Sequence, residues 1–195
     1  MARRRKDFYY RMAKDEGYRS RASYKLIQIQ QRFRVMRKGD TVVDLGAAPG
    51  GWSQVAAEIH GVKVLAIDLQ GIDPIPGVET IRADITDDKI TGTIRESAGS
   101  VNVVLCDAAP NLSGNWSYDH ARSVDLAEAA LKIAEEVLTG GGNFVVKVFQ
   151  GDMFNSYLEL VRRSFKKVKC HSPKASRNES AEMYIVAMGY DGGRD

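Results

Sequence analysis

Two charged residues occupy positions that rarely tolerate charge without use. Asp107 follows the apolar run Val103-Val-Leu-Cys106, and Lys147 follows Phe144-Val-Val146. An ionised group at the end of a buried strand is costly unless it is paired or at work. Upstream lies the turn Asp44-Leu-Gly-Ala-Ala-Pro-Gly-Gly-Trp52, and Asp68 stands 22 residues after Gly46. In an open α/β sheet, ligands bind beyond the carboxyl ends of the strands. A Gly-rich turn there lets backbone approach a ligand, and an acid about 20 residues on can accept both ribose hydroxyls of a nucleoside. The spacing is not a dinucleotide G-x-G-x-x-G, and no Lys-Ser/Thr pair follows it. Pro49 removes an N–H where a phosphate nest would need one. A nucleoside without phosphates fits best, and S-adenosylmethionine is the expected cofactor. The competing reading is a Gly-rich β–α turn with a purely structural role. Asp84 is placed either to bind an adenine amino group or to cap the helix after it.

The elements that must position these residues follow from periodicity. Ala22, Leu26, Ile29 and Phe33 recur at helical spacing and predict a helix over 21–35, ended by Lys38-Gly39-Asp40. Short β-rich runs predict strands over 41–45, 63–67, 78–82, 102–106 and 143–147, with helices over 52–59, 86–98, 119–138 and 152–164. The helix over 119–138 is expected to stop at Gly140-Gly-Gly142. Two closing strands, 167–171 and 182–189, are separated by a short polar loop that suits a hairpin. The expected architecture is α/β and Rossmann-like. Its seven-stranded sheet is mostly parallel, with an antiparallel last strand and helices on both faces. The whole chain, 1–195, is expected to be one domain, with 1–38 a basic N-terminal extension and helix.

The formal charge of +3 conceals an uneven distribution. Residues 1–38 balance to +10, residues 39–161 to −11 and residues 162–195 to +4. Basic ends around an acidic middle suggest a polyanion held by both. Arg3, Arg4, Arg5, Lys6, Arg11, Lys14, Arg19 and Arg21 are interleaved with Phe8, Tyr9, Tyr10 and Tyr18. That mixture suits phosphate contact and base stacking, so RNA is the expected partner. The aromatics could instead pack an N-terminal helix onto the sheet. Lys166, Lys167, Lys169, Lys174 and Arg177 would contact RNA from the other side. With no long apolar run, no membrane partner is expected. Two cysteines without a C-x-x-C pair argue against disulfides or a Cys-built zinc site, and the protein is expected to be cytoplasmic. Cys106 and Cys170 both read as buried small hydrophobes. His60, His120 and His171 lack metal-ligand spacing, so no metal is expected. A monomer is expected.

Four segments occur in a telling order. They are Asp44-Leu-Gly-Ala-Ala-Pro-Gly-Gly-Trp-Ser53, Asp107-Ala-Ala-Pro-Asn-Leu-Ser-Gly114, Val146-Lys-Val-Phe149 and Ser176-Arg-Asn-Glu-Ser-Ala-Glu-Met-Tyr184. With the opening Asp15-Glu-Gly-Tyr-Arg-Ser-Arg-Ala-Ser-Tyr-Lys25, the sequence resembles the FtsJ/RrmJ family of S-adenosylmethionine-dependent RNA 2′-O-ribose methyltransferases. The resemblance implies a catalytic tetrad of Lys25, Asp107, Lys147 and Glu182. It implies cofactor contacts at Gly50, Trp52, Asp68, Asp84 and Asp107, alongside Gly46 in the turn. Length and lack of extra domains resemble the RlmE-like branch, which methylates large-subunit ribosomal RNA, so a uridine of 23S-type RNA is the expected substrate. Cys106 is a departure, since many members carry Ser there.

The residue types suit that chemistry. A ribose 2′-hydroxyl is a weak nucleophile and must lose its proton as the methyl arrives. A lysine with its ordinary pKa of about 10.4 is charged and cannot accept it. Beside a second cation and partly desolvated, Lys147 can be drawn toward neutrality and act as general base. Lys25 would supply that cation, with Asp107 and Glu182 orienting the two amines. Base methylation leaves other traces: Asp107-Ala-Ala-Pro110 lacks the aromatic of an amino-methylating motif, and neither cysteine suits carbon-5 chemistry. Two rival readings remain beside the ribosomal one. One is the same chemistry on a tRNA anticodon loop, and the other is a non-catalytic RNA-binding ribosome assembly factor.

Overall fold

The computed structural model describes residues 2–176 and 180–192, and the side chains from Phe8 onward. Apolar runs too short for helices form the strands β1 (Thr41–Leu45), β2 (Lys63–Asp68), β3 (Val78–Arg82) and β4 (Val101–Cys106). They are joined by β5 (Leu138–Phe149), β6 (Phe165–His171) and β7 (Glu182–Tyr190). The helices are α1 (Ala2–Asp15), α2 (Ser23–Phe33), α3 (Gly51–Ala57), α4 (Ile90–Ala98), α5 (Trp116–Val137) and α6 (Phe154–Ser164). One sheet runs in the order β3-β2-β1-β4-β5-β7-β6. β1 to β5 pair in parallel, while β7 is antiparallel to both β5 and β6. This is the predicted architecture.

The central strands are buried on both faces, so their side chains divide between two cores. Val104 and Cys106 of β4 face α4, α5 and α6, whereas Val103 and Leu105 face α2 and α3. The order reverses between β1 and β4, which opens a crevice at their carboxyl ends. Asp44 and Leu45 pair there with Leu105 and Cys106, and Cys106 in turn pairs with Val146. The turn after β1, Asp107 and Lys147 are thereby brought to one edge.

Several boundaries differ from expectation. The stretch before Asp15 is a helix, α1, which packs Ala13 and Tyr9 against Tyr24 and Ala175. α4 starts at Ile90 rather than near Thr86, because residues Asp84 to Ile90 close successive turns. No glycine stop separates α5 from β5: the strand begins at Leu138, takes in Gly140 to Gly142, and shifts register opposite Val101 and Val103. Cys106 is buried as expected, but Cys170 is exposed. β6 is the edge strand of the sheet, and Cys170 lies near its exposed end, opposite Ile185 of β7.

Candidate active site

The four residues of the expected tetrad converge. Lys147, on the last turn of pleat in β5, is only 5% exposed. Its Nζ donates to the Asp107 carbonyl at 2.5 Å and pairs with Asp107 Oδ1 at 3.0 Å. Lys25 sits in the first turn of α2 and is also buried, and its Nζ donates to Glu182 Oε2 at 2.8 Å. Two ion pairs thus stand at the ends of β4, β5 and β7. Neither amine is solvated in the manner of a surface lysine, and removing one partner would leave a buried charge uncompensated.

Tyr184, to which the sequence alone assigns no role, joins the pairs. Tyr184 is fully buried on β7, in register with Lys147. Its hydroxyl donates to Asp107 Oδ1 at 2.7 Å and accepts from Lys25 Nζ at 3.0 Å. The result is a continuous path from Glu182 through Lys25, Tyr184 and Asp107 to Lys147. Burial, then the charges of Asp107 and Glu182, hold the phenol pKa far above its ordinary value, so Tyr184 remains a neutral donor. The signal was available in principle: Glu182 and Tyr184 are two apart on a strand and share a face.

The Gly-rich turn is built around tight contacts with the chain itself. Gly46 (φ +68°) has no room for a side chain, since a Cβ would lie 2.5 Å from the Cβ of Ala108. Gly50 (φ +107°) is likewise confined, by Ile75 and the Arg19 guanidinium. The amides of Gly46 and Ala47 donate to Ile67 O, and that of Gly50 to Ala47 O. Ala48 N donates to Asp68 Oδ2 and Gln70 N to Asp68 Oδ1, at 2.9 and 2.8 Å. Asp68 is therefore fixed at the end of β2, each oxygen retaining a lone pair for a further donor. Asp84 is exposed, and its Oδ1 accepts from both Thr86 N and Thr86 Oγ1, which lowers its pKa. Trp52 is buried: its Nε1 donates to Ala22 O and its ring packs on Tyr184. Its indole ties α3 to the start of α2.

Asp44 was not singled out by spacing. It is fully buried, and its Oδ2 accepts from Ser53 Oγ at 2.6 Å while Oδ1 has no partner. Burial raises its pKa to about 7 against the partial relief of the Ser53 bond, with Asp107 and Asp68 adding to the rise. Cys106 is pushed up to about 12 by burial, which fits an inert thiol.

The expected RNA-contacting cations and aromatics are divided by the structure. Arg19 spends its guanidinium on the carbonyls of Pro49, Asp73 and Pro74, strapping the turn to the following loop. Arg21 donates to Ala175 O. Tyr18 packs on Tyr24 and donates to Glu58, and Tyr9 packs on Tyr24, whereas Phe8 and Tyr10 are exposed. The side chains of Arg3, Arg4, Arg5 and Lys6, and all of Arg177, lie outside the described residues.

A family profile described as FtsJ-like methyltransferase matches residues 18–190. The chain belongs to that family. Its relatives include proteins named ribosomal RNA large subunit methyltransferase E. One from Methanosarcina mazei is 61% identical, over 97% of this chain and 72% of its own length. Another from Archaeoglobus fulgidus is 51% identical, over 95% of this chain and 97% of its own. A solved Plasmodium falciparum structure described as a ribosomal RNA methyltransferase superposes with a TM-score of 0.81 at 29% identity, covering 91% of this chain and all of that one. The FtsJ-like core thus begins after α1, which precedes the matched span. No helix among the described residues is long and apolar enough to cross a membrane.

Proposed function

We propose that this methyltransferase transfers the methyl group of S-adenosylmethionine to a ribose 2′-hydroxyl of large-subunit ribosomal RNA. The observation that carries the reading is the buried Lys147–Asp107 pair, coupled through Tyr184 to Lys25–Glu182, at the crevice beside the Gly-rich turn. The substrate class comes from the names of the relatives at 51 and 61% identity.

The residues suit the cofactor. The turn keeps side chains away from the crevice, Asp68 can take ribose hydroxyls, and the orphaned Asp44 Oδ1 lacks only a donor. Asp84, Gly46, Gly50 and Trp52 complete the proposed cradle. S-adenosylmethionine supplies a methyl group on a sulfonium, activated toward a nucleophile. Lys147 then accepts the hydroxyl proton as a neutral amine, held in line by Asp107 O and Oδ1. Lys25 is the second amine of the tetrad, fixed by Glu182 and by the Tyr184 hydroxyl. Such positioned base catalysis contributes roughly 10²–10⁴-fold. Orienting the hydroxyl toward the methyl supplies much of the rest.

We read residues 1–195 as one cytoplasmic, monomeric domain whose N-terminal 38 residues assist RNA contact. The test is labelled-methyl transfer to ribosomal RNA, tRNA and isolated large subunits. Ribosomal transfer that is lost in Lys147→Ala supports the proposal. Transfer to tRNA alone would overturn the substrate, and transfer to nothing would favour an assembly role.

A further inference from the structure

We propose that the indole of Trp116 is a stacking platform for an RNA base within one nucleotide of the methylated ribose. This rests on the RNA reading above and adds a positioning residue to it. Among the described residues, Leu112, Trp116, Tyr118 and Met153 are large apolar side chains exposed by 71, 50, 53 and 41%. All four lie on or beside the two segments that leave β4 after Asp107 and β5 after Lys147. Large apolar side chains left exposed on the segments that leave a functional edge mark candidate contact sites.

Trp116 is the anchored member. Its ring stacks on Phe149 at 5.9 Å and on His120 at 6.3 Å, with interplanar angles of 20° and 18°. Both supports are buried, and Phe149 is two residues beyond Lys147 on the same strand. His120 is itself fixed: its Nε2 accepts from Met153 N at 3.1 Å, and Gly151 presses so close that a Cβ would lie 2.7 Å from the ring. The backbone beneath Trp116 is equally constrained. Asn115 caps α5 by accepting from Tyr118 N, and Asp119 reaches back to the amides of Ser113 and Gly114 and the Ser113 hydroxyl. A half-open indole held against Phe149, at the end of the strand that carries Lys147, can receive a base without reordering. Arg122, whose guanidinium lies 5.8 Å from the Tyr118 ring centroid, adds a cation alongside for backbone phosphate. RNA is read mainly through unpaired bases laid on such rings.

The test compares native protein with Trp116→Ala and Trp116→Phe, using unmodified large-subunit ribosomal RNA and labelled S-adenosylmethionine. Trp116→Ala is expected to raise KM for RNA roughly tenfold, as loss of one stacked base does. The value of kcat and the affinity for S-adenosylmethionine should change less than about threefold, and Trp116→Phe should recover part of the loss. Tryptophan emission gives a second readout that does not depend on the Ala variant folding. RNA should quench the native protein more than Trp116→Phe, because the remaining Trp52 is buried. Unchanged KM in a folded Trp116→Ala, or equal quenching in native and Trp116→Phe, would overturn the platform while leaving the methyltransferase reading intact. Absence of any RNA methylation by native protein would overturn both.

Discussion

At the scale of single residues, chemistry is concentrated in groups that burial has made consequential. Lys147→Ala removes the proposed base and leaves Asp107 facing Tyr184 alone; methyl transfer should fall by about 10²–10⁴-fold, measured in single-turnover assays at saturating cofactor. Tyr184→Phe is a milder change, since Asp107 keeps Lys147 and Lys25 keeps Glu182. It should lower stability by about 1 kcal/mol and the rate by less than Lys147→Ala does. A fall in rate as deep as that of Lys147→Ala would give Tyr184 a larger part than bridging. Asp44 has a pH signature. Its carboxyl titrates near 7 in the folded chain against an ordinary value of 3.8. Between those values the folded state keeps a proton that the unfolded state has lost, so the Asp44 contribution to stability declines as pH rises across that window and levels off above about 7. Asp44→Asn should therefore gain melting temperature relative to native protein between pH 5 and pH 8. A constant difference across that range would contradict it.

At the scale of elements, the turn after β1 is set by its clearance from the segment after β4. Gly46→Ala combines a left-handed φ with a 2.5 Å approach to Ala108, and it should cost about 1–3 kcal/mol. A fall in both melting temperature and S-adenosylmethionine affinity is expected, checked by thermal denaturation and equilibrium dialysis. The strands were legible in the sequence because five-residue apolar runs have few other uses in a chain of this kind. Asp107 and Lys147 were legible as charges closing two of those runs. What was not legible depended on pairing across elements. Tyr184 acquires its role only once β7 is set antiparallel to β5 with Lys147 opposite it. Gly140 to Gly142 read as a helix stop, yet pairing with β4 draws them into β5. Arg19 read as a phosphate contact, but three nearby carbonyls claim it. α1 is mostly polar and is held by the few residues it lays on Tyr24 and Ala175.

At the scale of the molecule, the acidic middle holds the five parallel strands and Asp44, Asp68, Asp84 and Asp107, while the basic C-terminal segment adds β6 and β7 and the basic N-terminal one adds α1 and α2. RNA affinity should fall steeply with salt, with a slope near −0.7 per phosphate contact for a single strand. An affinity insensitive to salt between 50 and 200 mM would contradict an electrostatic grip. The central claim concerns the atom that receives the methyl group, and it has a direct test. Large-subunit ribosomal RNA methylated by this protein with labelled S-adenosylmethionine would be hydrolysed in alkali and its products separated. The account predicts label in alkali-resistant dinucleotides, because a 2′-O-methyl group blocks cleavage at its own phosphodiester, and that label accumulates about 10²–10⁴-fold more slowly with Lys147→Ala. Label released in mononucleotides would place the methyl on a base and contradict it.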